Sequence, residues 1–265
     1  MNPLVKRIIT ALSTAALVVC ALIYLPVSVV LPAMILLALL VQLEFSQLVA
    51  KKYETMPVAG IVASLGYFIT VFYCAEELTS RFFYIPVALV AVVFFIALIA
   101  LFGKSHKPME AMSTTLLSFV YIPFMLTFFM LIPTIPDGMK WLLYIIAIVK
   151  ISDMGGFAFG KAFGKHKMCP AISPNKSWEG LAGSVFASCL ISCAFIPMTG
   201  FVWYKALAFG VAAALVGTLG DLVESRFKRE VDVKDSATFM PAGLGGFLDM
   251  FDSLVFAPAL FFPFL

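Results

Sequence analysis

The sequence predicts an all-α, polytopic integral membrane protein, a bundle of about nine transmembrane helices with its N-terminus in the cytoplasm. Of its 265 residues, 62% are hydrophobic and only 12% are charged, and the mean hydropathy is +1.04. Water-soluble domains carry about 45–50% apolar and about 25% charged residues. A soluble domain of this composition could not keep its surface wetted. The small net charge of +3 gives no reason to expect a nucleic-acid partner.

The number of helices follows from the apolar runs, because a helix that crosses a bilayer needs about 20 mostly apolar residues. Nine runs approach this length: 8–25, 29–49, 58–75, 83–102, 112–132, 139–152, 178–198, 203–220 and 253–265. Pro26 and Pro32 suggest a tight hairpin between the first two. Runs 139–152 and 253–265 are short for a span, so the sequence leaves open whether they cross fully.

The orientation follows from the distribution of basic residues, since cytoplasmic loops of membrane proteins are enriched in Lys and Arg. With the N-terminus inside and nine crossings, the outer side holds only three of the 18 Lys and Arg residues, namely Arg81, Lys140 and Lys205. The opposite orientation would reverse this bias. We therefore expect nine crossings, with the N-terminus in the cytoplasm and the C-terminus on the outer side.

Most of the carboxylates, basic residues and glycines that could form a functional site lie in the second half of the chain. We interpret 1–138 as a transmembrane scaffold and 139–265 as a catalytic region, with cytoplasmic polar loops at 153–177 and 221–252. Glu44 is the one carboxylate well inside an apolar run, and we interpret it as snorkelling or bonded within its own helix. A transporter is a remote alternative, but no second half echoes the first.

Two pairs of carboxylates share a spacing of three residues, which places each pair on one helix face. The pairs are Asp221 with Glu224 and Asp249 with Asp252. Hard oxygen ligands of this kind suit Mg²⁺, which usually binds one or two carboxylates together with substrate phosphates. The alternative is that they are solvated helix ends.

Basic and glycine-rich residues lie between and before these pairs. Arg226, Lys228, Arg229 and Lys234 suit a polyanionic phosphate, or alternatively anionic lipid headgroups. The turn 241–246 could bring backbone N–H groups to a phosphate. Upstream, 173–177 is predicted to be a loop that enters a helix, with Ser177 as N-cap and Lys176 beside it.

Asp153 is predicted to end an apolar helix near the membrane interface, which makes it a functional candidate. The glycine- and lysine-rich segment after it does not follow the GxxxxGK[ST] pattern, so an ordinary nucleotide-hydrolysis fold is not indicated.

These residues resemble the CDP-diacylglycerol synthases, or phosphatidate cytidylyltransferases, in two blocks. The first is FGKAFGKHK (159–167) followed by SPNKSWEG (173–180). The second block consists of Ser225, Lys228, Arg229, Lys234, Asp235, Ser236, Pro241, Gly245, Gly246, Asp249, Asp252 and Ser253. Motif-level resemblance covers about the last 115 residues. The family's histidine before the glycine pair is missing, the gap after Pro241 is one residue longer, and Met250 replaces the usual arginine.

The resemblance implies Mg²⁺-dependent transfer of CMP from CTP to phosphatidic acid, which yields CDP-diacylglycerol and pyrophosphate for phospholipid biosynthesis. It also implies an integral protein of the bacterial cytoplasmic membrane with its active site facing the cytoplasm. A second monovalent cation, a second Mg²⁺ and a homodimer all stay open. The closer alternatives are a CTP-dependent lipid kinase and a cytidylyltransferase for another lipid phosphate.

The roles that the resemblance implies fall into three groups. Asp221, Glu224, Asp249 and Asp252 would bind the metal. Asp221, Asp249, Lys228, Lys234 and Asp235 would be catalytic, with Asp235 orienting Lys234. The substrate-binding group would be Asp153, Lys165, Ser173, Asn175, Lys176, Ser177, Arg229, Gly245 and Gly246.

Overall fold

The fold is a bundle of apolar helices, seen here in a computed structural model that describes residues 18–74, 77–103, 105–233 and 246–264. Residues 18–24 are helical, and the rest of the first predicted span lies outside the described residues. The first helices after it are α1 (Val27–Val49), α2 (Pro57–Tyr73), α3 (Leu78–Phe102), α4 (Pro108–Phe119) and α5 (Met125–Leu131). The later ones are α6 (Gly138–Phe163), α7 (Trp178–Ala194), α8 (Ile196–Thr199), α9 (Trp203–Glu230), α10 (Phe247–Phe251) and α11 (Ala257–Phe261).

Five of the helices in the described ranges are long and apolar enough to cross a membrane, which confirms a helical protein with several candidate spans. They are α1, α3, the continuous helix Pro108–Thr134, α6 and α9. Helices α2 and α7 are apolar but have only 17 residues each. The described part of the chain therefore supports the helical class without establishing nine crossings.

The helix Pro108–Thr134 changes its hydrogen bonding along its length. Between α4 and α5 it widens into a π-helical turn, Val120–Phe124, and it ends in a 3-10 turn, Ile132–Thr134. Pro123 lies inside the π-helical turn and has no N–H to donate to the helical ladder, so an α-helix cannot continue unchanged through it.

Helices α6 and α9 extend beyond the apolar runs that predicted them. The apolar run 139–152 is short for a membrane span, but the helix that contains it, α6, has 26 residues and continues for ten residues after Asp153. The expectation that Asp153 ends a helix was therefore wrong. The polar stretch 221–252 likewise begins as helix, since α9 ends only at Glu230.

Close packing against α7 explains why the glycine-rich end of α6 is helical and not a loop. At Gly155, an added Cβ would overlap the side chain of Ala187 and lie 2.7 Å from the carbonyl oxygen of Gly183. Small residues let two helix backbones approach closely. The glycines at 155 and 183 therefore allow close packing of α6 against α7.

The last apolar run, 253–265, does not form a long helix in its described part. It contains α11 and a 3-10 turn, Phe262–Phe264. Its residues pack inward: Val255 and Ala257 are fully buried, and Phe261 stacks on Phe209 of α9 with ring centroids 4.9 Å apart. Here the apolar character reflects burial within the bundle.

A small β-hairpin is the exception to the all-α prediction. Strands β1 (Lys167–Cys169) and β2 (Ser173–Ser177) pair antiparallel, with Lys167 opposite Ser177. The sequence predicted 173–177 as a loop. The hairpin leads directly into α7, and Ser177 caps that helix as predicted, since its Oγ accepts a hydrogen bond of 3.1 Å from Gly180 N.

Polar contacts join several helix ends at one end of the bundle. Lys52 Nζ and Tyr53 Oη donate to the carbonyl and the carboxylate of Glu230, both at 2.7 Å. Glu54 accepts hydrogen bonds from Ser105 Oγ and, at 3.1 Å, from Lys107 N. We call this set, residues 52–54, 105–107 and Glu230, the basic end.

Candidate active site

A largely buried lysine, Lys228, links α9 to α10. Lys228 Nζ lies 2.9 Å from Glu224 Oε1, one helical turn earlier, and also pairs with Asp249 Oδ1. The lysine side chain is 12% exposed and that of Glu224 only 2%. Two of the four predicted metal ligands therefore share the ammonium group of Lys228, which neutralises part of their charge.

Asp249 is held at both of its carboxylate oxygens. While Oδ1 pairs with Lys228, Oδ2 accepts a hydrogen bond of 2.7 Å from Gly246 N. Burial acts to raise the pKa of Asp249, but the hydrogen bonds from Lys228 and Gly246 outweigh it, so the pKa lies below its ordinary value. These two hydrogen bonds therefore favour the carboxylate form of Asp249.

Asp221 connects α9 to the β-hairpin. Its Oδ2 lies 3.0 Å from Lys176 Nζ of β2, and the same ammonium group donates to the carbonyl oxygen of Thr218 at 3.0 Å. The other oxygen, Asp221 Oδ1, is buried and has no hydrogen-bond partner among the residues that the structure describes. A buried carboxylate oxygen without a donor is unfavourable unless a cation or proton satisfies it.

Asp153 of α6 bonds to the chain that follows α10. Its Oδ2 accepts a hydrogen bond of 2.8 Å from Ser253 Oγ and lies 3.7 Å from Lys150 Nζ. Lys150 also donates to Ser253 Oγ at 3.0 Å and to the carbonyl oxygen of Met250 at 2.9 Å. These contacts join α6 to the segment that carries the second carboxylate pair.

Asp252 lies beside Asp221 and Glu224. Burial first, and then the negative charges of Asp221 and Glu224, raise the pKa of Asp252 well above its ordinary value. The approach is close because α9 has glycine at position 220, where an added Cβ would overlap the carbonyl oxygen of Asp252. Carboxylates from three separate parts of the sequence thus lie near one another.

The carboxylates nevertheless do not form one compact cluster. Over residues 18–74, 77–103, 105–233 and 246–264, no three Asp, Glu, His or Cys side chains converge closely enough to be a complete metal-ligand set. Instead, Glu224 and Asp249 meet at Lys228, while Asp221 faces Lys176 and Asp153 faces Ser253.

The other predicted site residues are spread around the hairpin. Arg229 Nε lies 3.4 Å from the carbonyl oxygen of Ile172, which holds the hairpin turn against α9. Lys165 is exposed, and its backbone N–H donates to Glu179 at 3.1 Å. In β2, Ser173 is half-buried and Asn175 is exposed. Lys234, Asp235 and Gly245 lie outside the described residues.

Two residues of this region were not recognised as site residues from the sequence. Lys150 is one of the basic residues that the predicted orientation places on the cytoplasmic side, and its contacts with Met250 and Ser253 could not be predicted from the sequence. Glu44 is fully buried and does not snorkel; its Oε2 accepts a hydrogen bond of 3.1 Å from Leu248 N in α10. Its isolation as a carboxylate within an apolar run was the available signal.

The chain's relationship to known proteins agrees with the motifs. The sequence profile described as "Cytidylyltransferase family" matches residues 5–265. The chain belongs to the cytidylyltransferase family. Among similar members of this family is the phosphatidate cytidylyltransferase of Staphylococcus aureus strain COL, 38% identical over 172 residues. That alignment covers 64% of this chain and 65% of the relative, so the chain matches just under two thirds of the relative's length.

Other cytidylyltransferases give similar values. The phosphatidate cytidylyltransferase of Staphylococcus haemolyticus strain JCSC1435 is 35% identical over 172 residues, which is 64% of this chain and 65% of the relative. That of Staphylococcus epidermidis strain ATCC 12228 is 35% identical over 171 residues, 63% and 64% of the two chains. The family resemblance stated from the two sequence blocks is confirmed.

Proposed function

We propose that this protein is a phosphatidate cytidylyltransferase, which transfers CMP from CTP to phosphatidic acid. A phosphate oxygen of the lipid attacks the α-phosphorus of CTP, the bond from that phosphorus to the bridging oxygen breaks, and pyrophosphate leaves. CDP-diacylglycerol stays in the membrane. The relatives named phosphatidate cytidylyltransferase support this proposal.

The observation that carries the proposal is the meeting of carboxylates and lysines from distant parts of the second half. Asp153, Asp221 and Asp249 lie on three different helices, and each lies within 4 Å of a lysine ammonium group. Reactions between two polyanions depend mainly on positioning and charge neutralisation. Alternating carboxylates and ammonium groups offer both.

The roles in this proposal follow the contacts. Lys176 and Arg229 bind phosphates where β2 and α9 meet, with Ser173, Asn175, Ser177 and Lys165 in or beside the hairpin. Gly246 contributes through its hydrogen bond to Asp249. Lys228 fixes Glu224 and Asp249 relative to each other and binds a phosphate at the same place. Lys234, Asp235 and Gly245 keep the roles that the family motif implies for them.

The donor set fits a divalent cation such as Mg²⁺. Asp221 Oδ1 is buried without a described donor, and carboxylate oxygens are the ligands that Mg²⁺ prefers. Asp221 and Asp252 would hold the ion, with Glu224 and Asp249 beside them. When bound, Mg²⁺ neutralises phosphate charge and stabilises the leaving pyrophosphate. A second divalent ion or a monovalent cation belongs to the same proposal as an open alternative.

The proposal includes nine crossings, a cytoplasmic N-terminus and a site that faces the cytoplasm of a bacterial inner membrane. It divides the chain into a scaffold, 1–138, and a catalytic region, 139–265. Contacts between predicted cytoplasmic segments support it. Lys52 and Tyr53 bond to Glu230, and the neighbouring Glu54 accepts hydrogen bonds from Ser105 and Lys107. A homodimer stays an open alternative within the same proposal.

The decisive assay uses purified protein with detergent-dispersed phosphatidic acid, Mg²⁺ and CTP labelled at either the α- or the γ-phosphate. CMP transfer puts the α-label into lipid and the γ-label into pyrophosphate. A lipid that carries the γ-label would instead identify a CTP-dependent kinase. Product only from another lipid phosphate would identify a different acceptor.

A further inference from the structure

Glu44 brings the N-terminal part of the chain into contact with the candidate active site. It lies near the C-terminal end of α1 and is fully buried. Its Oε2 accepts a hydrogen bond of 3.1 Å from the backbone N–H of Leu248. Leu248 is also fully buried and directly precedes Asp249.

The segment that Glu44 contacts has little internal support. Helix α10 spans only Phe247–Phe251, and the first N–H groups of a helix have no partner within it. Two carboxylates satisfy two of the N–H groups at its start. Glu44 accepts from Leu248 N, and Asp249 accepts from Gly246 N at 2.7 Å. The bond between Asp249 and Gly246 lies within this segment, whereas the bond from Glu44 comes from outside it. Glu44 therefore helps to determine where this short helix lies.

The same turn carries the carboxylate that pairs with Lys228. One oxygen of Asp249 is bound to Gly246 N and the other to Lys228. A displacement of the backbone at residue 248 would therefore move Asp249 relative to Glu224 and Lys228 on α9. A buried carboxylate in an apolar helix is unfavourable unless it is specifically bonded, and this backbone N–H is such a partner.

We propose that Glu44 is a positioning residue: through its hydrogen bond to Leu248 N, it fixes α10 so that Asp249 faces Lys228 and the substrate phosphates. Its contact with α10 stands on geometry alone. Its consequence for turnover rests on the proposed function.

The first test measures the contact without activity. Backbone hydrogen exchange of peptides covering 247–252 is compared in wild type, E44Q and E44L, with the full-length protein in detergent. Exchange should be faster in E44L, which has no acceptor, and intermediate in E44Q, whose amide oxygen is a weaker acceptor than a carboxylate. The matched control is Q42L, which also removes a buried polar group from α1. It should leave exchange in 247–252 unchanged.

The second test measures turnover. E44L should lower kcat on the order of tenfold, as expected for a misplaced group in an active site, while KM for CTP stays near the wild-type value. E44Q should recover most of kcat, which a purely space-filling role would not predict, because leucine also fills the space. If E44L does not fold, E44Q carries the test through its faster exchange in 247–252.

The outcomes separate the two proposals. If wild type makes no CDP-lipid, the proposed function fails, and the exchange measurement still decides whether Glu44 fixes α10. If wild type is active but E44L matches it in exchange and kcat, the positioning role is overturned. Equal effects of Q42L and E44L on exchange in 247–252 would also overturn it.

Discussion

At the residue scale, Lys228 joins two carboxyl groups from different helices, which the spacing of the carboxylates in the sequence does not predict. Glu224 is buried and Asp249 is half-buried, and the ammonium group of Lys228 pairs with both carboxyl groups. Removing one partner of a buried ion pair leaves an uncompensated charge. Lys228 is therefore needed for the structure of the site as well as for the proposed binding of phosphate.

We expect K228M to lower the free energy of unfolding by about 3–5 kcal/mol, because it leaves the buried Glu224 and the half-buried Asp249 without their shared cation. The thermal midpoint of purified protein, recorded with EDTA present, measures this. The control is K107M, whose salt bridge to Glu110 is exposed and should contribute only about 0–1 kcal/mol. A K228M midpoint equal to that of K107M would show that the pairing does not stabilise the fold.

Asp221 is the residue at which the metal proposal is most directly tested. We expect D221N to lose most of its Mg²⁺-dependent turnover while keeping its thermal midpoint. Asparagine preserves the shape of the side chain, but its neutral amide oxygen is a weaker ligand for a cation than a carboxylate oxygen. Turnover measured against Mg²⁺ concentration checks this. The matched control is D137N, at the exposed start of α6, where turnover should be unchanged. Wild-type turnover by D221N would remove Asp221 from the metal site.

At the scale of elements, the site depends on how closely α9 approaches the segment after α10. We expect G220A to be destabilised by about 1–3 kcal/mol, since its methyl group would overlap the carbonyl oxygen of Asp252 and force that segment away. Turnover should fall with it. The control is G66A in α2, where no atom lies within 4 Å of an added Cβ.

The control should be neutral or more stable by about 0.5–1 kcal/mol, because alanine is the better helix former. Thermal midpoints and turnover of the two variants check the pair. If both behave alike, the close approach at Gly220 is not required.

The elements that the sequence predicted best are those whose apolar runs face lipid or core along their whole length, such as α1 and α3. The prediction of helix ends failed where polar residues continue a helix, as in α6 and α9. Gly155 and its neighbours signal a loop by local propensity, yet packing against α7 keeps them helical. The strands β1 and β2 are too short to show a period of two. The run 253–265 was apolar because it is buried, so its composition did not establish a span.

The site was predictable in composition but not in pairing. The spacing placed Asp221 and Glu224 on one side of α9, but not their different partners, Lys176 and Lys228. Those pairings depend on the packing of α6, α9 and the hairpin. The role of Glu44 could not be predicted for the same reason, since its partner is 204 residues away in the sequence.

At the scale of the whole molecule, the helix Pro108–Thr134 separates two ends of the bundle. Its 27 residues span about 40 Å at 1.5 Å per residue. Lys107 precedes it at the basic end, and Lys140 follows it with Asp137 as its salt-bridge partner at 2.8 Å. Under the proposed orientation, these two lysines lie on opposite sides of the membrane.

Single cysteines test this orientation after the five native cysteines, all free in the structure, have been replaced. We expect an impermeant maleimide to label K140C in intact spheroplasts and K107C only after lysis, because both side chains are at least 60% exposed and differ only in side. The opposite pattern would invert the proposed topology, and labelling of both in intact spheroplasts would rule out a membrane crossing between them.

The length of α6 beyond Asp153 affects how the two reactants meet. Ten further residues carry α6 about 15 Å beyond Asp153. Under the proposed function, the lipid headgroup need not be lifted out of its leaflet. Instead, the water-soluble nucleotide would pass roughly three helical turns of α6 to reach this carboxylate and the acyl-bearing phosphate.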